Sequence, residues 1–185
     1  MKKAMAAGVP ADRIVFSGVG KRDDELAEAI DLGVHQINVE SEPELEALGR
    51  IAAAKGVTVP IAVRVNPDVD ARTHAKISTG KAENKFGVEL ARVPAVFERA
   101  RALQGIDPRG VAVHIGSQLT DLAPYREAYG RVADLVGSLR AAGHDIRAVD
   151  LGGGLGIDYR GETPPSPAEY GAMATEVVGG LGCTV

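Results

Sequence analysis

The stretches Gly110-Val111-Ala112-Val113-His114-Ile115-Gly116-Ser117 and Ile146-Arg147-Ala148-Val149-Asp150-Leu151-Gly152-Gly153-Gly154 decide the fold. Each opens as a short apolar or β-branched run suited to a buried strand and closes on small or polar residues. Between them Tyr125, Ala128, Tyr129, Val132, Leu135, Val136 and Leu139 recur on one helical face, and Gly143 stands where a left-handed residue would end the helix. Strand, helix, strand in this order implies two parallel strands joined by a crossover.

Outward from this unit, Arg13 to Phe16, Gln36 to Val39 and Val59 to Val65 read as three further buried strands. Ser41 followed by Glu44 forms a capping-box pattern, Pro43 suits a first helical turn, and Leu45, Leu48 and Ala52 continue at helical spacing as far as Gly56. This rhythm leaves a doubly wound sheet or a β/α barrel. Ser17, Gly18, Asn38, Glu40, Asn66, His114, Ser117 and Gly152 to Gly154 all fall at or just past C-terminal strand ends. A barrel gathers all such ends onto one face, whereas an open sheet uses mainly those beside its switch point, so the barrel is favoured. The expected fold is α/β, a partial TIM (β/α)8 barrel with about five of the eight strands present in residues 1–185. The tail Gly179 to Val185 looks like the start of another apolar strand, and the chain is expected to be incomplete at both ends.

The 185 residues, 45% of them hydrophobic, suit one domain with a sizeable core. The 25 acidic and 21 basic residues are spread along the chain, so no basic stripe offers itself to a nucleic-acid backbone. Cys183 stands alone, no apolar stretch approaches the roughly 20 residues of a membrane span, and the start MKKAMAAG lacks the apolar core of a signal peptide. A soluble cytoplasmic protein is expected, with neither nucleic acid nor membrane as partner. Pro67 to Gly87 has little periodicity and is long for a structureless connection. Its Thr73, His74, Lys76, Ser78, Thr79, Lys81, Asn84 and Lys85 fit either a substrate-facing loop or a solvated excursion.

The glycine run Gly152-Gly153-Gly154-Leu155-Gly156 leaves backbone N–H groups open to close approach by a phosphate, although a tight turn needing positive φ would read the same. It lacks the dinucleotide fingerprint, because the third glycine would fall at Ile157, and Gly18-Val19-Gly20-Lys21 lacks P-loop spacing. His114 could present an imidazole face to a flat ring, with the Ser117 hydroxyl three residues on at the rim, or it could be a hydrogen-bonded core histidine. Arg64 and Asn66 flank a strand end, where a buried arginine paired with a carboxylate such as Glu40 is an equal reading. Lys21 could in principle form a Schiff base, but Lys21-Arg22-Asp23-Asp24-Glu25 looks like a solvated helix start. His35, His74 and His144 show no metal-ligand spacing, so no metal site is expected.

Taken in order, Ile37-Asn38-Val39-Glu40-Ser41, Arg64-Val65-Asn66-Pro67, His74-Ala75-Lys76-Ile77-Ser78-Thr79-Gly80, Asn84-Lys85-Phe86-Gly87, His114-Ile115-Gly116-Ser117-Gln118 and Asp150 to Gly156 resemble one family. It is the pyridoxal-phosphate decarboxylases with an alanine-racemase-like barrel, and within it the diaminopimelate decarboxylases, to which the His-x-Lys-Ile-Ser-Thr-Gly loop is particular. The resemblance covers essentially the whole chain. It implies pyridoxal 5'-phosphate as cofactor, with His114 stacked on the ring, Ser117 and the Gly153 and Gly154 N–H groups on the phosphate, and Arg64 near the ring. It implies decarboxylation of meso-2,6-diaminopimelate to L-lysine, a small amino-acid substrate, and a homodimer when full length. Ornithine, arginine and carboxynorspermidine decarboxylases, or a non-catalytic barrel that binds the cofactor, are the alternatives. The family's Tyr-x-x-Lys-Ala-Asn and Glu-Pro-Gly-Arg elements do not occur in the 185 residues. The resemblance therefore assigns no catalytic residue to this chain, and it implies an incomplete barrel domain over residues 1–185, without the family's C-terminal β domain and inactive in isolation.

Overall fold

The apolar runs form strands because both of their faces are covered. In the computed structural model, which describes residues 1–70, 86–159, 161 and 163–185, β2 (Gln36–Val39) is buried throughout and β3 (Val59–Asn66) leaves only Pro60 and Arg64 partly exposed. Continuous burial of this kind belongs to parallel strands sandwiched between layers. With β1 (Val15–Phe16), β5 (Ile106–Val113) and β6 (Ala148–Asp150) they form a sheet ordered β1-β2-β3-β5-β6, in which every pairing is parallel. A two-residue strand, β4 (Val88–Glu89), pairs beside the end of β3. Each main strand lies next to its predecessor without a reversal, the order of a barrel wall rather than of a doubly wound sheet.

After α1 (Lys2–Ala6), which precedes β1, helices follow the strands: α2 (Asp23–Leu32), α3 (Glu42–Lys55), α4 (Val93–Ala102), α5 (Ala123–Ala141) and α6 (Pro167–Val178). The α5 stripe read from the sequence is the buried one, with Tyr125, Ala128, Tyr129, Val132 and Val136 fully enclosed, and Gly143 is left-handed at φ 88 just past the helix. In α3 the Ser41 Oγ accepts the Glu44 N–H at 3.3 Å and Gly56 ends the helix in the left-handed region, as expected. The reciprocal half of that capping box does not form, because the Glu44 carboxylate is committed elsewhere.

Strand boundaries differ from the sequence reading at several points, and β1 keeps only Val15–Phe16 of the expected Arg13 to Phe16, because Ala11–Arg13 form a short 3-10 turn. β5 starts at Ile106 rather than Gly110, since Pro108 reads as a strand breaker yet is carried at an irregularity where Ile61 faces Pro108 and Ala62 faces Gly110, leaving Arg109 as the extra residue. β6 is confined to Ala148–Asp150, and β4 is too short to stand out as a run. The expected strand start in the tail is visible as a parallel bridge: Val149 N–H donates to Thr184 O, and Thr184 N–H to Arg147 O, both at 2.9 Å. Most of the long Pro67 to Gly87 segment, including Thr73, His74, Lys76, Ser78, Thr79, Lys81, Asn84 and Lys85, lies outside the described residues.

Candidate functional site

The polar strand ends meet. Ser17, Gly18, Asn38, Arg64, His114, Asp150, Gly152 and Gly153 line one cavity of about 440 Å3 at the C-terminal ends of β1, β2, β3, β5 and β6. A larger groove of about 520 Å3 runs along the open side between β1 and β6, but Val15, Ala148, Val149, Leu151 and Ala174 make its lining chiefly apolar. The chemistry therefore belongs to the smaller cavity.

The glycine run is shaped by what it must avoid. Gly152 has φ 72, and a Cβ there would collide with the Val113 carbonyl and press on His114 Nδ1; Gly154 has φ 95, and a Cβ would collide with the Gly116 carbonyl. Two loops are thereby drawn into backbone contact: Leu119 N–H donates to Gly154 O and Gly156 N–H to Leu119 O, each at 2.9 Å. The Gln118 side chain closes the pairing by donating to Ile157 O at 3.0 Å and accepting from Ile157 N–H at 3.1 Å. This places the backbone of Ser117 against Gly154, while His114 and Gly152 share the cavity wall. Gly152 N–H is taken by Asp150 Oδ1 at 2.8 Å, whereas the Gly153 and Gly154 N–H groups find no acceptor among the described residues.

Charges are paired across the strand ends. Arg64 donates to Glu40 Oε2 at 2.6 Å, with the two side chains 11% and 2% exposed, so the carboxylate-paired reading of this arginine holds. The other oxygen of Glu40 accepts the Gly18 N–H at 2.8 Å, which ties β1 to β2 and β3. Asn38 donates to Asp150 Oδ2 at 2.6 Å and so links β2 to β6 across the mouth. Burial, and then the Arg64 charge, hold the His114 imidazole below its ordinary pKa, against a smaller pull from Asp150 and Glu40. The ring is thus kept neutral at neutral pH.

Lys21 requires a correction. Arg22 to Glu25 are at least partly solvated, as the charged run suggested, but the Lys21 side chain is 2% exposed; its ammonium donates to Glu44 Oε1 at 2.6 Å and to Asn38 O at 2.7 Å, with the Phe16 ring 5.6 Å away. Glu44 also accepts the Glu40 N–H at 3.3 Å, which is why it does not return to cap α3. Burial pushes the Glu44 carboxyl above its ordinary pKa, with Lys21 pulling the other way. Lys21 does not line the cavity. From the sequence Glu44 reads only as a helix cap and Asp150 only as part of the glycine stretch; the fold alone brings Lys21 to Glu44 and Asn38 to Asp150.

The family model described as "Pyridoxal-dependent decarboxylase, pyridoxal binding domain" matches residues 1–181. The chain belongs to this family. As a pyridoxal-dependent decarboxylase domain it carries the fold that binds a pyridoxal cofactor. The residues fit such a group: Gly153 faces open space on the cavity wall, and the Gly153 and Gly154 N–H groups have no acceptor among the described residues, beside a neutral imidazole. The domain is 49% identical over 170 residues to the diaminopimelate decarboxylase of Vibrio cholerae, covering 92% of this chain and 41% of that protein. It is 50% identical over 170 residues to that of Pseudomonas aeruginosa, with the same coverage. The Helicobacter pylori diaminopimelate decarboxylase complexed with L-lysine superposes with a TM-score of 0.95 at 42% identity, over 99% of this chain and 46% of that one. The Paramecium bursaria Chlorella virus arginine decarboxylase shares the fold at a TM-score of 0.79 and 24% identity, over 99% of this chain and 47% of that one. The pyridoxal-binding domain thus spans less than half the length of the relatives it matches.

Proposed function

We propose that this chain forms the cofactor cradle of a diaminopimelate decarboxylase, which releases CO2 from meso-2,6-diaminopimelate to give L-lysine. The observation that carries this reading is that His114 and the glycine turn line a single cavity. The relatives at 49% and 50% identity bear that name, and the similar Helicobacter pylori enzyme is complexed with L-lysine, the product of the reaction proposed here. Residues 1–185 act as one incomplete barrel domain. In the whole enzyme the site is completed by further chain, and that enzyme works as a cytoplasmic homodimer on a small amino acid. No helix among the described residues is long and apolar enough to cross a membrane, in keeping with that location.

His114 would lie against the ring of a bound pyridoxal 5'-phosphate and, being neutral, would bring no charge to it. The Gly153 and Gly154 N–H groups and the Ser117 hydroxyl hold the phosphate. Arg64, anchored by Glu40, would border the ring and adds to the effect of burial in lowering the basicity of His114. When bound, pyridoxal 5'-phosphate supplies the electron sink that accepts the charge left as CO2 departs. The residues of this chain would hold the cofactor in one orientation, a positioning task.

Titration of the chain with pyridoxal 5'-phosphate, followed by equilibrium dialysis, tests the cradle. Saturable binding is expected for the wild type, and His114→Ala should weaken it about tenfold through loss of a stacked ring. Absence of saturable binding by a folded wild-type chain would overturn the reading. The substrate is tested separately, by assaying the full-length enzyme against meso-diaminopimelate, ornithine, arginine and carboxynorspermidine, with preference for the first expected.

A further inference from the structure

We propose that Tyr125 is a positioning residue for the phosphate end of the cradle: by holding the Gly153 carbonyl from the α5 side, it aims the Gly154 N–H at the anion. This rests on the reading above that Gly153 and Gly154 receive the phosphate. The Tyr125 ring is fully enclosed, and its hydroxyl donates to Gly153 O at 3.1 Å. Burial pushes the phenol pKa upward, so the hydroxyl stays protonated and remains a donor. The described chain has no cis peptide, and in a trans peptide the C=O and the following N–H point in opposite directions. Fixing the Gly153 carbonyl toward α5 therefore turns the Gly154 N–H away from it.

Such a restraint matters here because the peptide lies between glycines, whose φ and ψ are the least restricted of any residue, and no side chain of the turn can lock it. The peptide two residues earlier shows the same construction. Tyr129 donates to Leu151 O at 3.1 Å, its oxygen lies 2.6 Å from that of Tyr170, and the N–H on the far side of that peptide, Gly152's, is satisfied by Asp150. Two hydroxyls from one face of α5 thus hold alternate carbonyls of the turn. The one belonging to Tyr125 controls an N–H for which the chain provides no acceptor among the described residues.

Tyr125→Phe keeps the buried ring and removes only the hydroxyl. Dialysis of this variant and the wild type against pyridoxal 5'-phosphate, inorganic phosphate and unphosphorylated pyridoxal tests the inference, with circular dichroism confirming the fold. The expected result is about a three- to tenfold loss of affinity for the two phosphate-bearing ligands, the range of one hydrogen bond, with pyridoxal unchanged. Equal affinities for all three ligands, or an equal loss that includes pyridoxal, would overturn the positioning role while leaving the cofactor reading intact. A folded wild type that binds no pyridoxal 5'-phosphate would instead remove that reading and this inference with it. Should Tyr125→Phe lose its fold, fluorotyrosine at position 125 retains ring and hydroxyl and makes a stronger donor; a rise in phosphate affinity supports the role, and no rise overturns it.

Discussion

His114 is held neutral by its enclosure and by the guanidinium of Arg64. In an NMR titration its imidazole is expected to titrate below its ordinary 6.5, and Arg64→Gln should raise that value, because it removes a positive charge and leaves Glu40 unpaired nearby. The sign of the linkage follows. With the folded pKa below the unfolded one, the unfolded chain takes up the proton first, so stability is kept above pH 6.5 and declines as the pH falls from there toward the folded value. At the glycine turn, Gly154→Ala forces a Cβ against the Gly116 carbonyl at a positive φ, and is expected to cost about 1–3 kcal/mol in urea denaturation and to abolish cofactor binding. The sequence made His114 and the glycines legible as candidates, since an imidazole and a triple glycine at strand ends are few-purpose residues. It did not make Lys21 legible: one buried ammonium inside a run of charges has no one-dimensional signature.

At the level of elements, the Lys21–Glu44 pair joins the β1 end to the start of α3 and, through the Asn38 carbonyl and the Glu40 amide, to the end of β2. Because both side chains are enclosed, 2% and 7% exposed, removing one partner leaves a buried charge. Lys21→Met is expected to lower stability by about 3 kcal/mol or more, and Lys21→Met with Glu44→Leu by clearly less, as read by urea denaturation of the single and double variants. The helices were well forecast where an apolar stripe and a terminal glycine agreed, as in α5 with Gly143 and α3 with Gly56. Strand limits were forecast less well. β5 carries Pro108 and a surplus Arg109 because its neighbour β3 pairs on both sides of the irregularity, a compensation made across the sheet and not along the chain.

For the whole molecule, the consecutive strand order converts five separate strand ends into one mouth, and Asn38 on β2 reaches Asp150 on β6 across the cavity wall. With pyridoxal 5'-phosphate and meso-diaminopimelate, these 185 residues alone are expected to release CO2 no faster than the cofactor does in buffer, measured as trapped gas; enzyme-like release would mean that the chain holds catalytic groups not identified among its residues.

By itself the sequence determined the strand and helix alternation and the side of the sheet on which polar strand ends gather, and it offered His114 and the glycines as candidates for a flat ring and a phosphate. These follow from periodicity and from residue types whose properties are local. Tertiary structure alone decided that Arg64 is tied to Glu40, that Lys21 is buried against Glu44, and that hydroxyls from α5 hold the glycine turn. Each of these depends on atoms far apart in the chain being brought within hydrogen-bonding distance, which no spacing along the backbone can encode.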